Sequence, residues 1–365
     1  MFSDQIVAMI RAASPDMERE GRLKQEVLDF IYEQQLFKLF VPEELGGRLC
    51  TLPEALQIFE QAAWIDSSFG WLVTVGAGGG FFTPFMEPAV SQVLLTPRDA
   101  VIAGSGFPAG IAQRVEGGYI VQGRWKYCSG STYATLFTAN CYVKAGLQDD
   151  TGQGKNTENT HAIRSFILKP SQVKIIQDWD AYGMKATGSH SIEVEACLIH
   201  EDHTFSIMEE PLAYPHLIYQ FPFLQFSEAS FTAVVIGMVR HFFDEARDLT
   251  EAGREGWSQS QLERYPAVWK QIKNEEKKLK KVIIAFSAGI DEAWTSFTKQ
   301  KVLSNEEQLH FSHLCKATTR TAVQAVEAVF PYLGMSAVME GTTLNRIWRD
   351  LHTASQHVFL APYPV

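Results

Sequence analysis

Apolar residues recur at helical spacing through the first quarter of the chain. QEVLDFIYEQQLFKLFVP and LPEALQIFEQAAWID each carry an apolar stripe, and the turn-rich PEELGG from Pro42 to Gly47 separates them. The pattern predicts a helical domain over 1–95. Within it, VGAGGGFF concentrates small residues. It lacks the lysine of a phosphate-binding loop and follows no clear strand, so it predicts two backbones in close approach.

Over 96–205 the period changes. GGYIVQGRWKY alternates side-chain type after Gly117 and Gly118, which predicts a hairpin strand. SIEVEACLI sets Ile192, Val194, Ala196 and Leu198 against Glu193 and Glu195, the alternation of a half-exposed strand. The polar insert QDDTGQGKNTENT reads as a mobile hairpin loop. This segment is expected to form a β-barrel or sandwich domain.

Long helical stripes return over 206–365. FSEASFTAVVIGMVRHFFDEARDL, a lysine-rich segment ending in AWTSFTKQ, EEQLHFSHLCKATTRTAVQAVEAVFPYL and TTLNRIWRDLHTASQHVFL predict an antiparallel four-helix bundle. The expected class is α+β: helices, a β-domain, then the bundle. Phe221, Phe223 and Phe226 open the third segment; they fit an apolar pocket wall, though such spacing more often marks bundle core.

Composition narrows the function. With 46% hydrophobic and 20% charged residues among 365, the chain has the make-up of a globular protein with a large core. No stretch approaches the roughly 18 apolar residues of a membrane helix, and no signal-peptide core is visible, so the cytoplasm is the expected location. The net charge of -10 argues against a nucleic-acid partner. Five scattered cysteines without C-x-x-C spacing predict neither a disulfide framework nor a metal site.

The order of segments, with VPEELGG, GSGFPAGIAQRVEGGYIVQGRWKYCSG and DWDAYGMKATGSHSIEVEACLIHED, resembles the acyl-CoA dehydrogenase superfamily over nearly the whole chain. The resemblance implies an enzyme holding FAD, with FMN as the alternative, in a homotetramer or at least a homodimer. It places Ser129 where the family has a hydroxyl donor to the flavin's reactive nitrogen. Tyr127 stands where a tryptophan walls the ring, with Trp125 two residues earlier on the same strand face. Read from the residues alone, Trp125 and Tyr127 are core aromatics and Ser129 a turn residue.

The loop from Gly104 to Gly110 matches the family's flavin-contacting loop, with Gly106 and Phe107 in place of a Thr-Glu pair. The Gly106 amide and the Ser105 hydroxyl are the groups it offers. Ile111 stands where the family has a serine touching coenzyme A, which weakens the case for an acyl-CoA substrate. Arg264-Tyr265-Pro266, and LGM around Gly334, stand where the family's arginine and paired glycines reach the FAD pyrophosphate.

A dehydrogenase of this family needs a glutamate base after the Arg-Asp pair of the last helix, and RDLHTASQHVFLAPYPV contains none. Glu228 lies within about one residue of the family's other base position; its plainer reading is a first-turn residue meeting the helix dipole. The spacing R-D-L-x(5)-H instead resembles the two-component flavin monooxygenases, which take reduced flavin from a separate reductase. There a late histidine, here His357, assists proton transfer or orients the substrate hydroxyl. Arg346, Asp350, Thr353 and His357 follow i, i+4, i+7, i+11 spacing on one helical face, and His352 lies off it. His357 as a capping histidine and Arg346 with Asp350 as a structural ion pair are the bland readings. The leading expectation is a flavin monooxygenase acting on a small apolar or aromatic substrate. A dehydrogenase using Glu228, and a scaffold that has lost flavin, are the alternatives.

Overall fold

The computed structural model describes residues 2–144, 162–258 and 263–361. The polar insert read as a mobile hairpin lies outside them. The chain opens with α1 (Asp4–Glu20) and α2 (Gln25–Glu33). After a tight turn that closes at Gly46 come α3 (Leu52–Ile65), α4 (Ser67–Gly78) and α5 (Pro88–Leu95). Local chemistry sets these ends. Thr51 and Glu54 form a reciprocal capping box on α3, and the Asp66 carboxylate caps α4 by accepting from the Phe69 amide at 2.9 Å. The glycine-rich run does bring backbone into close contact: a Cβ on Gly80 would lie 3.0 Å from the backbone of Phe40 and Val41.

Among the described residues seven strands follow: β1 (Ile102–Val115), β2 (Gly118–Cys128), β3 (Leu136–Lys144), β4 (Ile163–Leu168), β5 (Lys174–Ile176), β6 (His190–His200) and β7 (Thr204–Phe205). They form one sheet in the order β5-β6-β2-β1-β3-β4-β7, in which only β1 and β3 run parallel. Gly117 and Gly118, both at positive φ, close the β1–β2 hairpin as the sequence predicts. Tyr119 of β2 meets Phe166 of β4 at 5.3 Å although two strands separate them, so the sheet curls around its own core.

The β6 alternation departs from expectation halfway along. Ile192 and Val194 are buried, but Ala196 adopts φ 41° and the pairing with β2 shifts there, so Leu198 turns outward and Ile199 inward. One extra residue in a strand reverses the side-chain phase beyond it.

The C-terminal helices are α6 (Phe223–Ala252), α7 (Arg254–Ser258), α8 (Arg264–Gln300), α9 (Asn305–Leu333), α10 (Met335–Val338) and α11 (Thr343–Ala354). They share one hydrophobic core with the N-terminal helices, while the sheet keeps its own. Gly237 makes the α3–α6 crossing possible, since a Cβ there would lie 2.2 Å from the Glu60 carbonyl oxygen. Phe221 packs on Phe297 and Phe311, and Phe223 and Phe226 on Phe81, so the three phenylalanines belong to the core.

The last helix differs from its reading in two ways. It stops at Ala354, so His357 stands in the turn beyond it, and the four-residue helical face ends at Thr353. Arg346 and Asp350 form no ion pair within 4.0 Å. Asp350 instead accepts the Met184 amide at 2.5 Å, and Arg349 is the paired arginine. The Arg349 guanidinium bonds the Glu18 carboxylate, the Tyr182 carbonyl at 2.7 Å and the Asn345 side chain at 2.8 Å. It thereby ties α1, α11 and the segment before β6 together.

Burial pushes the Asp350 carboxyl up to about 7; the Met184 amide and the Arg346 charge pull the other way. A native pKa above the unfolded one means the unfolded chain releases its proton first. Asp350's contribution is therefore complete below about pH 4 and is lost as pH rises towards 7. That loss is about 2 kcal/mol between pH 5 and pH 7. Asp350→Asn should flatten this part of the stability–pH curve in denaturant titrations. A slope equal to wild type would show that Asp350 is ionised in the fold.

Candidate active site

Strand β2 breaks its alternation just before the residues of interest. Tyr127 adopts φ 65°, and the pairing with β6 shifts between Trp125 and Cys128. Trp125 keeps the inward phase of Tyr119 and Val121 and points into the sheet core, and the kink takes Tyr127 off that face. Trp125 is fully buried, donates Nε1 to the Asn140 carbonyl at 2.8 Å, and fits only because Gly110 and Gly123 lack side chains. The expectation that Trp125 walls a flavin is corrected: no ligand reaches it. Tyr127 points the other way, 68% exposed, with its ring edge-to-face on Trp179 and the centroids 6.2 Å apart. The two aromatics do not share a face.

On β1, the pairing with β3 shifts between Ser105 and Gly110, so Gly106 to Ala109 bulge from the ladder. Asn140 holds the bulge by donating Nδ2 to the Gly106 carbonyl at 2.9 Å. Ser105 is half-buried, Phe107 is 72% exposed, and a Cβ on Gly106 would meet nothing within 4 Å. The antiparallel β1–β2 register brings this bulge to the same end of the hairpin as Tyr127. Open backbone, two exposed aromatics and the Ser105 and Ser129 hydroxyls suit a flat heteroaromatic ring with a polar edge, so these residues fit an isoalloxazine.

Past the kink, the Ser129 hydroxyl accepts from the Trp71 indole at 3.2 Å and contacts the Ser189 hydroxyl at 2.8 Å. Ser189 in turn contacts Thr187 at 2.6 Å, and Thr187 donates to the Met184 carbonyl at 2.7 Å. Trp71 also presents its ring to His357, with centroids 5.5 Å apart. Phe231 of α6 lies 4.4 Å and Phe359 5.2 Å from the same imidazole. Burial among these rings pushes His357 down to about 4, so it is neutral at pH 7. Its Nδ1 accepts from the Phe359 amide at 3.4 Å, leaving the ring proton on Nε2. His352 is elsewhere, its ring tilted against Trp348 at 4.4 Å between centroids and its Nε2 2.6 Å from the Glu327 carboxylate.

Glu228 is not brought to this group by any described contact. It lies in the second turn of α6, buried against α9 with Lys316 Nζ 3.7 Å away, so the first-turn reading is also corrected. Desolvation pushes its carboxyl up, and Oε2 has no hydrogen-bond partner among the described residues.

Gly334 ends α9 at φ 70°, and a Cβ there would lie 2.6 Å from Nη2 of Arg264. Arg264 donates to the Leu333 carbonyl at 2.7 Å and covers the Trp257 ring at 3.8 Å. The arginine and glycine assigned to a pyrophosphate by resemblance thus meet each other within one chain.

Two surface hollows are lined by neither Ser129 nor His357. One of about 550 Å³ is lined by Asp29, Tyr32, Glu33, Arg98 and Asp99; one of about 390 Å³ lies along Ala109, Ile111, Gln122 and Glu193. Among the described residues, no three His, Cys, Asp or Glu side chains cluster as a metal site, and no helix is long and apolar enough to cross a membrane. Sequence reasoning missed Trp71, Thr187, Ser189 and Phe231. Trp71 sits in SSFGWLVTVGAG, a helix buried on nearly all sides, where no periodicity singles out one residue.

Residues 229–362 match the family described as acyl-CoA dehydrogenase, C-terminal domain. Indole-3-acetate monooxygenase of Pseudomonas putida is 24% identical over 360 residues, covering 96% of this chain and 87% of the relative. The oxygenase subunit HsaA of a flavin-dependent monooxygenase from Rhodococcus jostii is 24% identical over 376 residues, covering 97% and 92%. Among solved structures, 3-HSA hydroxylase from Rhodococcus sp. RHA1 aligns with a TM-score of 0.86 at 20% identity, covering 98% of this chain and 92% of that one. XiaF from Streptomyces sp., in complex with FADH2 and glycerol, aligns at 0.79 and 19% identity, covering 98% and 89%. KijD3, in complex with FMN and a dTDP-sugar, aligns at 0.71 and 19% identity, covering 98% and 88%.

Proposed function

We propose that this chain, which has the acyl-CoA dehydrogenase fold and matches that family's C-terminal domain over residues 229–362, is the oxygenase component of a two-component flavin monooxygenase. Its substrate is a small aromatic molecule, and a separate reductase supplies the flavin already reduced. The carrying observation is Trp71, which bonds Ser129 on the cofactor side and packs on His357 on the other.

A bound reduced flavin supplies the electrons that let one atom of dioxygen enter the substrate while the other leaves as water. Ser105, the Gly106 backbone, Tyr127 and Ser129 hold the ring. FAD is the assigned cofactor and FMN the alternative. Trp71, Phe231 and Phe359 present apolar faces that hold an aromatic substrate and exclude water. Neutral His357 donates its Nε2 proton in a hydrogen bond to a substrate oxygen, which orients the ring for attack. The assembly is a homotetramer or homodimer, and the location is the cytoplasm.

A dehydrogenase would need a carboxylate in the place of His357, and Glu228 is engaged with Lys316 inside the bundle. The two activities separate in one experiment. Protein loaded with oxidised FAD is titrated anaerobically with acyl-CoA thioesters. Protein loaded with chemically reduced FAD is then mixed with ¹⁸O₂ and a panel of phenols and indoles. No bleaching in the first arm and one labelled oxygen in the product of the second is the expected result. Bleaching by a thioester, or no labelled product across the panel, overturns the assignment.

A further inference from the structure

The hydroxyl row behind Ser129 has a direction that the chemistry of its two ends imposes. At one end the Met184 carbonyl can only accept, so Thr187 spends its single hydroxyl proton there. Ser189, 2.6 Å from Thr187, must then donate to it. Ser129, 2.8 Å from Ser189, must in turn donate to Ser189. At the other end the Trp71 indole can only donate, and it fills one lone pair of Ser129. Ser129 is left with no free proton and one free lone pair. Thr187 and Ser189 are buried, so water does not readily reverse the order.

We infer that Thr187 and Ser189 are redox-state selectors: they fix Ser129 as a hydrogen-bond acceptor, so the site takes a reduced flavin, which carries N–H at its reactive nitrogen, over an oxidised one. The oxidised ring offers a lone pair at that nitrogen and would face another. This assignment rests on the monooxygenase reading and deepens it. It also reverses the polarity that family resemblance gives Ser129, from donor to acceptor. Thr187 and Ser189 act through Ser129 and are positioning residues.

The test uses full-length protein without substrate and measures anaerobic dissociation constants for oxidised and for chemically reduced FAD. Wild type should prefer reduced FAD. Thr187→Val frees the Ser189 proton to turn back, and Ser189→Ala removes the acceptor of the Ser129 proton; either lets Ser129 donate. Each should cut the reduced-over-oxidised preference about tenfold, chiefly by tightening oxidised FAD, and Thr187→Ser should restore it. A wild-type preference that both Thr187→Val and Ser189→Ala leave intact overturns the inference alone, as does a wild type that binds both states equally. A wild type that binds neither state overturns the proposed function together with it.

Discussion

His357→Leu is expected to lower hydroxylated product per reduced flavin by about 10²-fold, with the consumed oxygen appearing as hydrogen peroxide. Leucine keeps the apolar packing against Trp71, Phe231 and Phe359, so the lost group is the Nε2 proton. The unfolding midpoint should stay near wild type, which separates lost chemistry from lost fold. His357→Asn returns an N–H at shorter reach and should recover part of the yield. The pH profile gives an independent check. With the imidazole held near 4 by burial, its protonation state is constant from pH 6 to pH 8, and the yield should be flat there as far as this group decides it. A step centred near 6.5 would place the imidazole in water, outside the cage of rings. Unchanged yield in His357→Leu would remove it from the site.

The second large effect is on stability. Arg349→Met should destabilise the protein by about 3 kcal/mol, the lower end of the range for breaking a buried ion pair. The lower end applies because the Glu18 side chain keeps 20% of its exposure and water can partly solvate it. The carbonyls of Tyr182 and Glu340 and the Asn345 side chain also lose their donor. Adding Glu18→Gln should return part of the loss, because the stranded charge is then gone. Denaturant midpoints of the two single variants and the double variant measure this. A loss under about 1 kcal/mol for Arg349→Met alone would mean that the clamp is solvated.

Periodicity made the helical regions and the sheet legible because burial of one face writes a repeat into the sequence. Glycines did the same for the β1–β2 hairpin. Single-residue irregularities left no such mark. The positive φ at Tyr127 and at Ala196 each reverse the alternation after them, and neither position is a glycine. Regular alternation therefore puts Tyr127 on the face of Trp125 and Leu198 inside, and the structure does neither. The last helix misled for a related reason: His357 keeps helical spacing from Asp350, but the helix closes three residues earlier, at Ala354. The site itself was half legible. Ser129 and His357 lie in motifs that resemblance could carry. Trp71, which joins them, comes from a helix with no polar face to betray an inward role, and Thr187 and Ser189 resemble any turn-forming pair.

The crossing of α11 with the segment before β6 bears on how this enzyme could be diversified. A Cβ on Gly183 would sit 2.2 Å from the Arg349 carbonyl oxygen, which is rigid helix backbone and cannot step aside. A library that randomises this loop therefore wastes nearly every clone that varies position 183. Its neighbour Tyr182 has 51% of its surface open; its backbone carbonyl accepts from Arg349, and its ring lies at the edge of Trp348, 6.5 Å between centroids. A mutational scan should find position 183 closed to every side chain and position 182 open to other flat rings that can lie on Trp348.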